Sequence, residues 1–288
     1  MSAQPSTWRL FLRNRKGTFG LAMLIVLVLI ALLAPVISPY PPTKIDLNAI
    51  LSPPSYQHLL GTTEIGQDVL SLIIWGSRIS LLVGFLATAV AMVVGTLFGI
   101  FAGYIGGIVD EVLMRTTDFF LVIPAVVLAI VVAAVLGNTL LNVVLIIGLL
   151  SWPATARVVR SATLVYKQMP FVEASKGAGG STLHVLREHI LPNVMPLVYA
   201  NTALTIANAI FTQSALVFLG VGDVSDISWG QTLHFAYSSG AITAGDYWYA
   251  LPPGIMIVLS VLAFALTGYA LDEILNPRLR GGSLFGSS

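Results

Sequence analysis

The chain has 288 residues, of which 56% are hydrophobic and only 9% are charged, and its formal net charge is +1. Soluble domains carry about 25% charged residues, so this composition, with a mean hydropathy of +0.89, indicates an integral membrane protein. The near-neutral charge argues against a protein that binds nucleic acid. Because the chain contains no cysteine, disulfides, thiolate metal sites and a cysteine nucleophile are excluded.

The N-terminal residues combine basic side chains with a long apolar run. Residues 1–18 fit either a basic amphipathic segment on the inner membrane surface or a disordered basic tail. The apolar run that follows, residues 19–37, is too long for a signal peptide and is followed by no clean cleavage site. We therefore expect a first transmembrane helix that is retained in the mature protein.

Six apolar stretches have about the 20 residues that an α-helix needs to cross a bilayer. They lie at roughly 19–38, 79–103, 112–136, 141–164, 197–220 and 250–274. The sequence therefore predicts an all-α integral membrane protein with six transmembrane helices. Gly95 and Gly99 are four residues apart in the second stretch, a spacing typical of a small-residue packing face.

The connections suggest two parts of the chain. Prolines at 39–42 and 53–54 predict an external loop after the first helix, and the polar segment 61–75 predicts a short interfacial helix. Residues 1–58 then form an N-terminal segment, a first span and a Pro-rich loop. Residues 59–288 form a core of five spans with a cytoplasmic loop at 165–196.

The basic residues predict the orientation. With the N-terminus inside, all of the 14 Lys and Arg residues except Lys44 and Arg78 collect on the inner face. Such an excess marks the cytoplasmic side. Both termini and the loop 165–196 are therefore predicted to be cytoplasmic, in a multi-pass protein of the cell membrane.

The loop 165–196 is the longest polar segment in the second half of the chain. A helix is predicted from residue 171, with Glu173 in its first turn, where a carboxylate complements the helix dipole. The glycines at 177, 179 and 180 are expected to end it, and Pro192 is expected to stop a second amphipathic helix. The small residues of the first loop helix give it a smooth surface that suits docking by a partner protein. Packing of this helix under its own bundle explains the same residues equally well.

Several kinds of chemistry have no support in the sequence. No Gly-Lys pair exists, so the phosphate-binding loop of ATPases is absent, and no His-Glu-x-x-His motif occurs. His184 and His189 are five residues apart, a spacing that does not bring both rings to one helical face. Arg115 and Asp118 are spaced to form an ion pair, which favours a structural pair over a proton relay. We therefore expect no catalytic residues, no metal site and no ATP hydrolysis by this chain.

Polar residues recur along the fifth predicted span at helical spacing. Asn201, Thr205, Asn208 and Thr212 fall on one stripe, and Gln213 lies beside it. They fit either a translocation path or interhelical hydrogen bonds, and we favour the path. Neutral amides and hydroxyls suit peptide backbones or sugar hydroxyls better than a bare metal ion.

The loop resembles the signature of permeases from ATP-binding-cassette (ABC) importers, Glu-Ala-Ala-x-x-x-Gly, nine residues, Ile-x-Leu-Pro. The matching residues are Glu173, Ala174, Gly179, Leu191 and Pro192. The segments 60–71, 189–193, 214–222, 228–230 and 276–280 resemble the C-type subunit of the oligopeptide/dipeptide/nickel branch. Ser175 and His189 depart from the general signature, although His-Ile-Leu-Pro-Asn at 189–193 is the form seen in that branch. The chain departs from the branch at Gln67 and Gln213, and at 223–227, where a Pro-rich piece is usual.

The resemblance implies the fold of a type I importer permease with a cytoplasmic coupling helix. It implies a homologous second permease, two cytoplasmic ATPase subunits that hold ATP and Mg, and an extracytoplasmic substrate-binding protein. No cofactor is expected on this chain itself. The implied ATPase-coupling residues are Glu173, Ala174, Ser175, Lys176, Gly177 and Gly179.

Taken together, these features predict the permease subunit of an ATP-driven importer for a small polar solute, with di- or oligopeptide as the first choice of cargo. An oligosaccharide or a nickel complex remains an alternative within the same family. From a different class, a stand-alone secondary transporter or channel would use this chain alone. A membrane enzyme lacks a catalytic constellation.

Overall fold

The computed structural model describes residues 7–223 and 225–275. Regular structure in these ranges is helical, and the β-type pairing consists of an isolated bridge between Thr62 and Asp68. The helices are α1 (Thr7–Arg13), α2 (Arg15–Ile37), α3 (Val69–Ile105), α4 (Gly107–Val122), α5 (Ala125–Leu136), α6 (Leu140–Lys167), α7 (Pro170–Gly177), α8 (Thr182–Val185), α9 (Leu191–Phe218), α10 (Trp229–Ser238), α11 (Ala241–Ala244) and α12 (Tyr247–Leu275). The motif at 276–280 and the predicted cytoplasmic C-terminus lie outside the described residues.

Five helical segments in the described chain are long and apolar enough to cross a membrane, and a bent pair supplies a sixth. The five are α2, α3, α6, the continuous segment Thr182–Phe218, and α12. The prediction of an all-α protein with six spans is confirmed in this form. The third predicted span, 112–136, is not one straight helix, because α4 and α5 meet at 93°.

The bend in the third span has a local cause. Pro124 is the N-cap of α5, and Ile123 before it has an extended backbone with φ −81° and ψ 130°. A proline disfavours helical geometry at the preceding residue and cannot donate a backbone hydrogen bond. The chain therefore leaves α4 at Ile123 and starts a new helix in another direction.

Helix α3 is the centre of the bundle and packs along α6 through glycines. A Cβ added at Gly95 would lie 2.6 Å from the Cβ of Thr155, and one at Gly99 would lie 2.6 Å from the Cβ of Val159. Gly103 repeats the pattern with Thr163 one turn later, at 2.8 Å. This confirms the predicted small-residue packing face, which lets the two backbones approach closely.

The predicted short interfacial helix at 61–75 is wrong. Residues 61–68 form a compact loop, and α3 starts at Val69 and continues without interruption to Ile105. Gly61 and Gly66 have φ of +70° and +79°, values that a regular helix does not contain. Asp68 then caps α3 by accepting hydrogen bonds from the backbone N–H and the hydroxyl of Ser71, at 2.8 and 2.7 Å.

The expectation that Pro192 stops the second loop helix is also wrong. Residues Thr182–Phe218 form one continuous helical segment, with a π-helical turn at Leu186–Ile190. The backbone N–H of Leu191 donates to the carbonyl of Leu186, five residues earlier. The wider turn shifts the carbonyls that a proline ring would meet in a regular helix, so the helix passes through Pro192.

Candidate functional site: an exposed helix and a polar stripe

Helix α7 starts at Pro170, which fits the first turn of a helix because its backbone nitrogen needs no partner there. Glu173 lies in the first turn, as predicted, and Lys176 lies in the last. Both charges therefore complement the helix dipole. Val172 is fully buried against the bundle, whereas Glu173, Ala174, Lys176 and Gly177 are exposed and Ser175 is partly exposed. The helix thus presents one polar, small-residue face away from the protein.

The end of α7 follows a glycine-dependent turn. The backbone N–H of Gly180 donates to the carbonyl of Ser175 at 2.9 Å, and that of Gly179 donates to Lys176 at 3.0 Å. Gly179 has φ +85°, and a Cβ added there would meet no atom within 4 Å. Its need for glycine therefore comes from the backbone conformation and not from crowding. The predicted stop at these glycines is confirmed.

Tyr104, at the end of α3, contacts α7 and links it to the bundle. Its ring centroid lies 5.1 Å from the ammonium of Lys176 and 5.7 Å from that of Lys167. Tyr104 also belongs to a buried cluster with Val172 and with Val194 of α9. Sequence reasoning missed Tyr104 because it is more than 60 residues away along the chain and belongs to no recognised motif.

The predicted polar stripe on α9 is not uniformly placed. Thr205 and Gln213 are buried, Asn201 and Thr212 are half-buried, and Asn208 is exposed. The hydroxyl of Thr205 donates to the carbonyl of Asn201 within α9, at 3.1 Å. Among the described residues, these five side chains make no hydrogen bond to another helix. The stripe therefore does not tie helices together within the described part of the chain.

Next to the end of this stripe at Gln213, the loop between α9 and α10 carries two carboxylates. Gln213 shares a small cavity with Asp223, Asp226 and Ser228. Hydrogen bonds from the hydroxyl and the backbone N–H of Ser225 lower the pKa of Asp223. Burial, reinforced by the charge of Asp223, raises the pKa of Asp226. The two carboxylates are therefore held in different environments.

Two ion pairs join α4 to α6 near the end of the bundle where α7 lies. Asp110 accepts two hydrogen bonds from Arg160, at 2.5 and 2.6 Å, and Asp118 accepts one from Arg157 at 2.5 Å. The expected pair between Arg115 and Asp118 is therefore wrong. The opposite helix supplies the partner because α6 packs beside α4, which sequence spacing alone does not reveal.

In the part of the chain that the structure describes, no group of three or more His, Asp or Glu side chains is arranged to hold a metal ion. The expectation that His184 and His189 do not share a helical face is wrong: their rings lie 5.8 Å apart, edge to face. The π-helical turn at Leu186–Ile190 brings residues five apart onto the same side of the helix. The two candidate functional features are therefore α7, an exposed helix that packs against a bundle of membrane-spanning helices, and the polar stripe on α9 within that bundle. They define a multi-pass membrane protein of the permease class.

Similarity to known proteins agrees with this class. Residues 95–281 match the family described as the inner membrane component of binding-protein-dependent transport systems. Residues 6–54 match the N-terminal transmembrane domain of oligopeptide transport permease C. The chain therefore belongs to the family of binding-protein-dependent transport permeases, in its oligopeptide permease C group.

Relatives named as dipeptide permeases cover nearly the whole chain. The dipeptide transport system permease protein DppC of Haemophilus influenzae is 36% identical over 279 residues, covering 95% of this chain and 94% of the relative. The di/tripeptide transport system permease protein DppC of Pseudomonas aeruginosa is 34% identical, covering 96% of this chain and 92% of the relative.

A solved structure of the methionine ABC transporter MetNI, in an inward-facing conformation, contains a chain with the same fold. The TM-score is 0.56 at 20% identity, and the match covers 72% of this chain and 95% of that chain. The fold is that of an ABC importer permease.

Proposed function

We propose that this chain is one of two membrane subunits of an ATP-driven importer that carries di- or oligopeptides into the cell. The observation that carries the proposal is α7, a short helix with an exposed polar face and a buried anchor to α3 and α9. The relatives named as dipeptide permeases favour peptide over oligosaccharide or nickel complex as the cargo.

The proposed assembly contains a homologous second permease, two ATPase subunits beneath the membrane and an external binding protein. ATP and Mg belong to the ATPases, and the chain itself binds no cofactor. Its termini and α7 lie on the cytoplasmic side, in keeping with the distribution of Lys and Arg. Residues 1–58 supply the N-terminal segment, the first span and the external loop, and residues 59–288 form the core permease domain.

In this proposal α7 docks in a cleft of one ATPase. The contacting residues are Glu173, Ala174, Ser175, Lys176, Gly177 and Gly179. When ATP binding closes the ATPases, α7 is displaced, and Val172 and Lys176 transmit the movement to α3 and α9 through the cluster around Tyr104. The Glu173 carboxylate is free to pair with a cation of the ATPase.

The α9 stripe lines the translocation path in the same proposal. Asn201, Thr205, Asn208, Thr212 and Gln213 offer neutral donors and acceptors, which bind a peptide backbone weakly and release it. Support comes from Asn201, Asn208 and Thr212, whose side chains are at least partly exposed and make no described hydrogen bond to another helix.

Reconstitution in proteoliposomes tests the proposal against a gradient-driven transporter. The complete complex with loaded binding protein is expected to take up a labelled dipeptide only when ATP is supplied to the ATPase side. Glu173→Ala is expected to weaken ATPase association, because the partner charge is left unpaired at a cost of about 2–5 kcal/mol.

Glu188→Gln, at an exposed carboxylate of the same loop, is the matched control and is expected to transport normally. Uptake by this chain alone under a proton or sodium gradient, without ATPases, would contradict the proposal. Binding of only sugars or metal complexes by the cognate binding protein would contradict the peptide assignment.

A further inference from the structure

A groove between α2 and α3 lies away from α7 and shares Ile79 and Asp226 with the small cavity beside Gln213. It encloses about 560 Å³, within the range of sites that hold small molecules. Apolar side chains of both helices form most of its wall, including Val28, Leu32, Leu82 and Phe85. Helix α2 is the least buried of the long apolar helices, because only 22% of the residues in its most apolar stretch are buried. The groove is therefore part of the periphery of the bundle, where lipid is the solvent.

The charged groups of this groove are Arg78 of α3 and Asp226 of the loop before α10. Phe85 lies seven residues further along α3, so the apolar wall extends about 10 Å beyond Arg78 at the helical rise of 1.5 Å per residue. The groove thus has a polar end beside the loops and an apolar remainder that runs toward the middle of α3.

Arg78 lacks a protein counter-ion in the described ranges. Its side chain is exposed and makes neither an ion pair nor a hydrogen bond with a described residue, and its guanidinium carbon lies 5.1 Å from the ring centroid of Trp75. The indole N–H of Trp75 is also buried without a hydrogen-bond partner. Asp226 likewise has no described cation within 4 Å.

An unpaired charge inside a membrane helix is costly unless a partner neutralises it or the side chain reaches the interface. A guanidinium matches a phosphate group, to which it can donate two parallel hydrogen bonds. A carboxylate at the same end accepts hydrogen bonds from a primary ammonium. A molecule with a phosphate, an ammonium and a hydrocarbon chain therefore complements all three parts of the groove.

We propose that this groove binds one phospholipid of the phosphatidylethanolamine type, with its phosphate on Arg78, its ammonium on Asp226 and an acyl chain between α2 and α3. A peptide also carries an ammonium and a carboxylate. The continuous apolar wall and the peripheral position of α2 favour the lipid. The site does not depend on which solute the protein transports.

Native mass spectrometry of the complete transporter tests this site. The complex is purified in a mild detergent and given equal amounts of phosphatidylethanolamine, phosphatidylcholine and phosphatidylglycerol. Wild type is expected to retain one more phosphatidylethanolamine than Arg78→Gln, with retention reduced about tenfold in the variant by the loss of charge-assisted hydrogen bonds. Asp226→Asn is expected to abolish the preference over phosphatidylcholine, whose quaternary ammonium has no N–H.

A second pair of variants tests the apolar part. Leu82→Trp fills the groove and is expected to displace the lipid without any change in charge. Leu97→Trp is the matched control, because Leu97 is a similarly exposed leucine of α3 outside the groove. Size-exclusion chromatography verifies that each variant assembles.

Equal lipid retention by wild type and Arg78→Gln would overturn the proposal, and so would equal retention of phosphatidylcholine by wild type. Displacement of the lipid by a dipeptide would assign the groove to the cargo, and displacement by inorganic phosphate alone would reduce it to an anion site. The experiment measures bound lipid and not transport. A failure of the lipid proposal is therefore distinguishable from a failure of the proposed ATP-driven uptake.

Discussion

At the end of α7, Gly179 occupies the left-handed region of backbone space, with φ +85°. Side chains with a Cβ cost roughly 1–2 kcal/mol in that region, although here no neighbouring atom would be touched. Gly245, between α11 and α12, has φ +94° and is equally free of neighbours. The two glycines therefore impose the same backbone requirement at different places on the protein.

We predict that Gly179→Ala and Gly245→Ala lower the thermal stability of the permease by similar small amounts. Only Gly179→Ala is expected to reduce the stimulation of ATP turnover by loaded binding protein, because it reorients the turn that follows α7. Thermal unfolding and ATPase assays on the assembled complex provide the measurements. Normal stimulation in Gly179→Ala would mean that the turn does not contribute to coupling.

Glu173 and Tyr104 show how far single residues can be understood from sequence. The helix dipole and a recognisable motif identify Glu173 without a structure. Tyr104 has no such signal, since its role depends on Lys176 and Lys167 arriving beside it from other helices. The same reason explains why Asp118 pairs with Arg157 of α6 and not with Arg115, one turn away.

At the scale of elements, α7 is joined to the bundle by a few side chains: the buried Val172, Lys176 over the ring of Tyr104, and Phe171 beside the ring of His189. A cation over an aromatic ring contributes about 0.5–1 kcal/mol at exposed sites. That energy is small compared with the stability of the bundle, so it affects the stiffness of the joint more than folding.

We predict that Tyr104→Leu and Lys176→Met each reduce the amount of peptide transported per ATP hydrolysed, while Tyr104→Phe, which keeps the ring, does not. If the two side chains act together, the double variant is expected to be no worse than the more affected single variant. Fully additive losses in this double-mutant cycle would show that the ring and the ammonium act independently.

The boundaries of elements were less predictable than their existence. Apolar length identified the long helices, but the start of α3 depends on the Asp68 cap and on the turns at Gly61 and Gly66. Continuation through Pro192 depends on a π-helical turn. Such features arise from a few backbone hydrogen bonds, which leave a weaker trace in sequence than the burial of a whole apolar face.

At the scale of the whole molecule, the predicted orientation in the membrane rests on the charge distribution and can be measured directly. The chain has no cysteine, so a single introduced cysteine reports one site without background. Tyr56, in the loop between α2 and α3, and Leu183, in α8, are strongly exposed. They lie on opposite sides of the predicted membrane.

We predict that a membrane-impermeant maleimide labels Tyr56→Cys in intact cells but labels Leu183→Cys only after the membrane is opened. The reason is that the loop with Leu183 is flanked by the basic residues that mark the cytoplasmic side. Labelling of Leu183→Cys in intact cells would reverse the orientation and place α7 out of reach of cytoplasmic ATPases.

The sequence by itself determined the class of protein, the number of spans and the family, because apolar length and the loop motif are local properties of the chain. Only the tertiary structure decided the ion partners of Asp110 and Asp118, the anchoring of α7 by Tyr104 and the groove beside Arg78. Each of these depends on which faces of distant helices meet. The packing of whole helices decides which faces meet, and no short stretch of sequence carries that information.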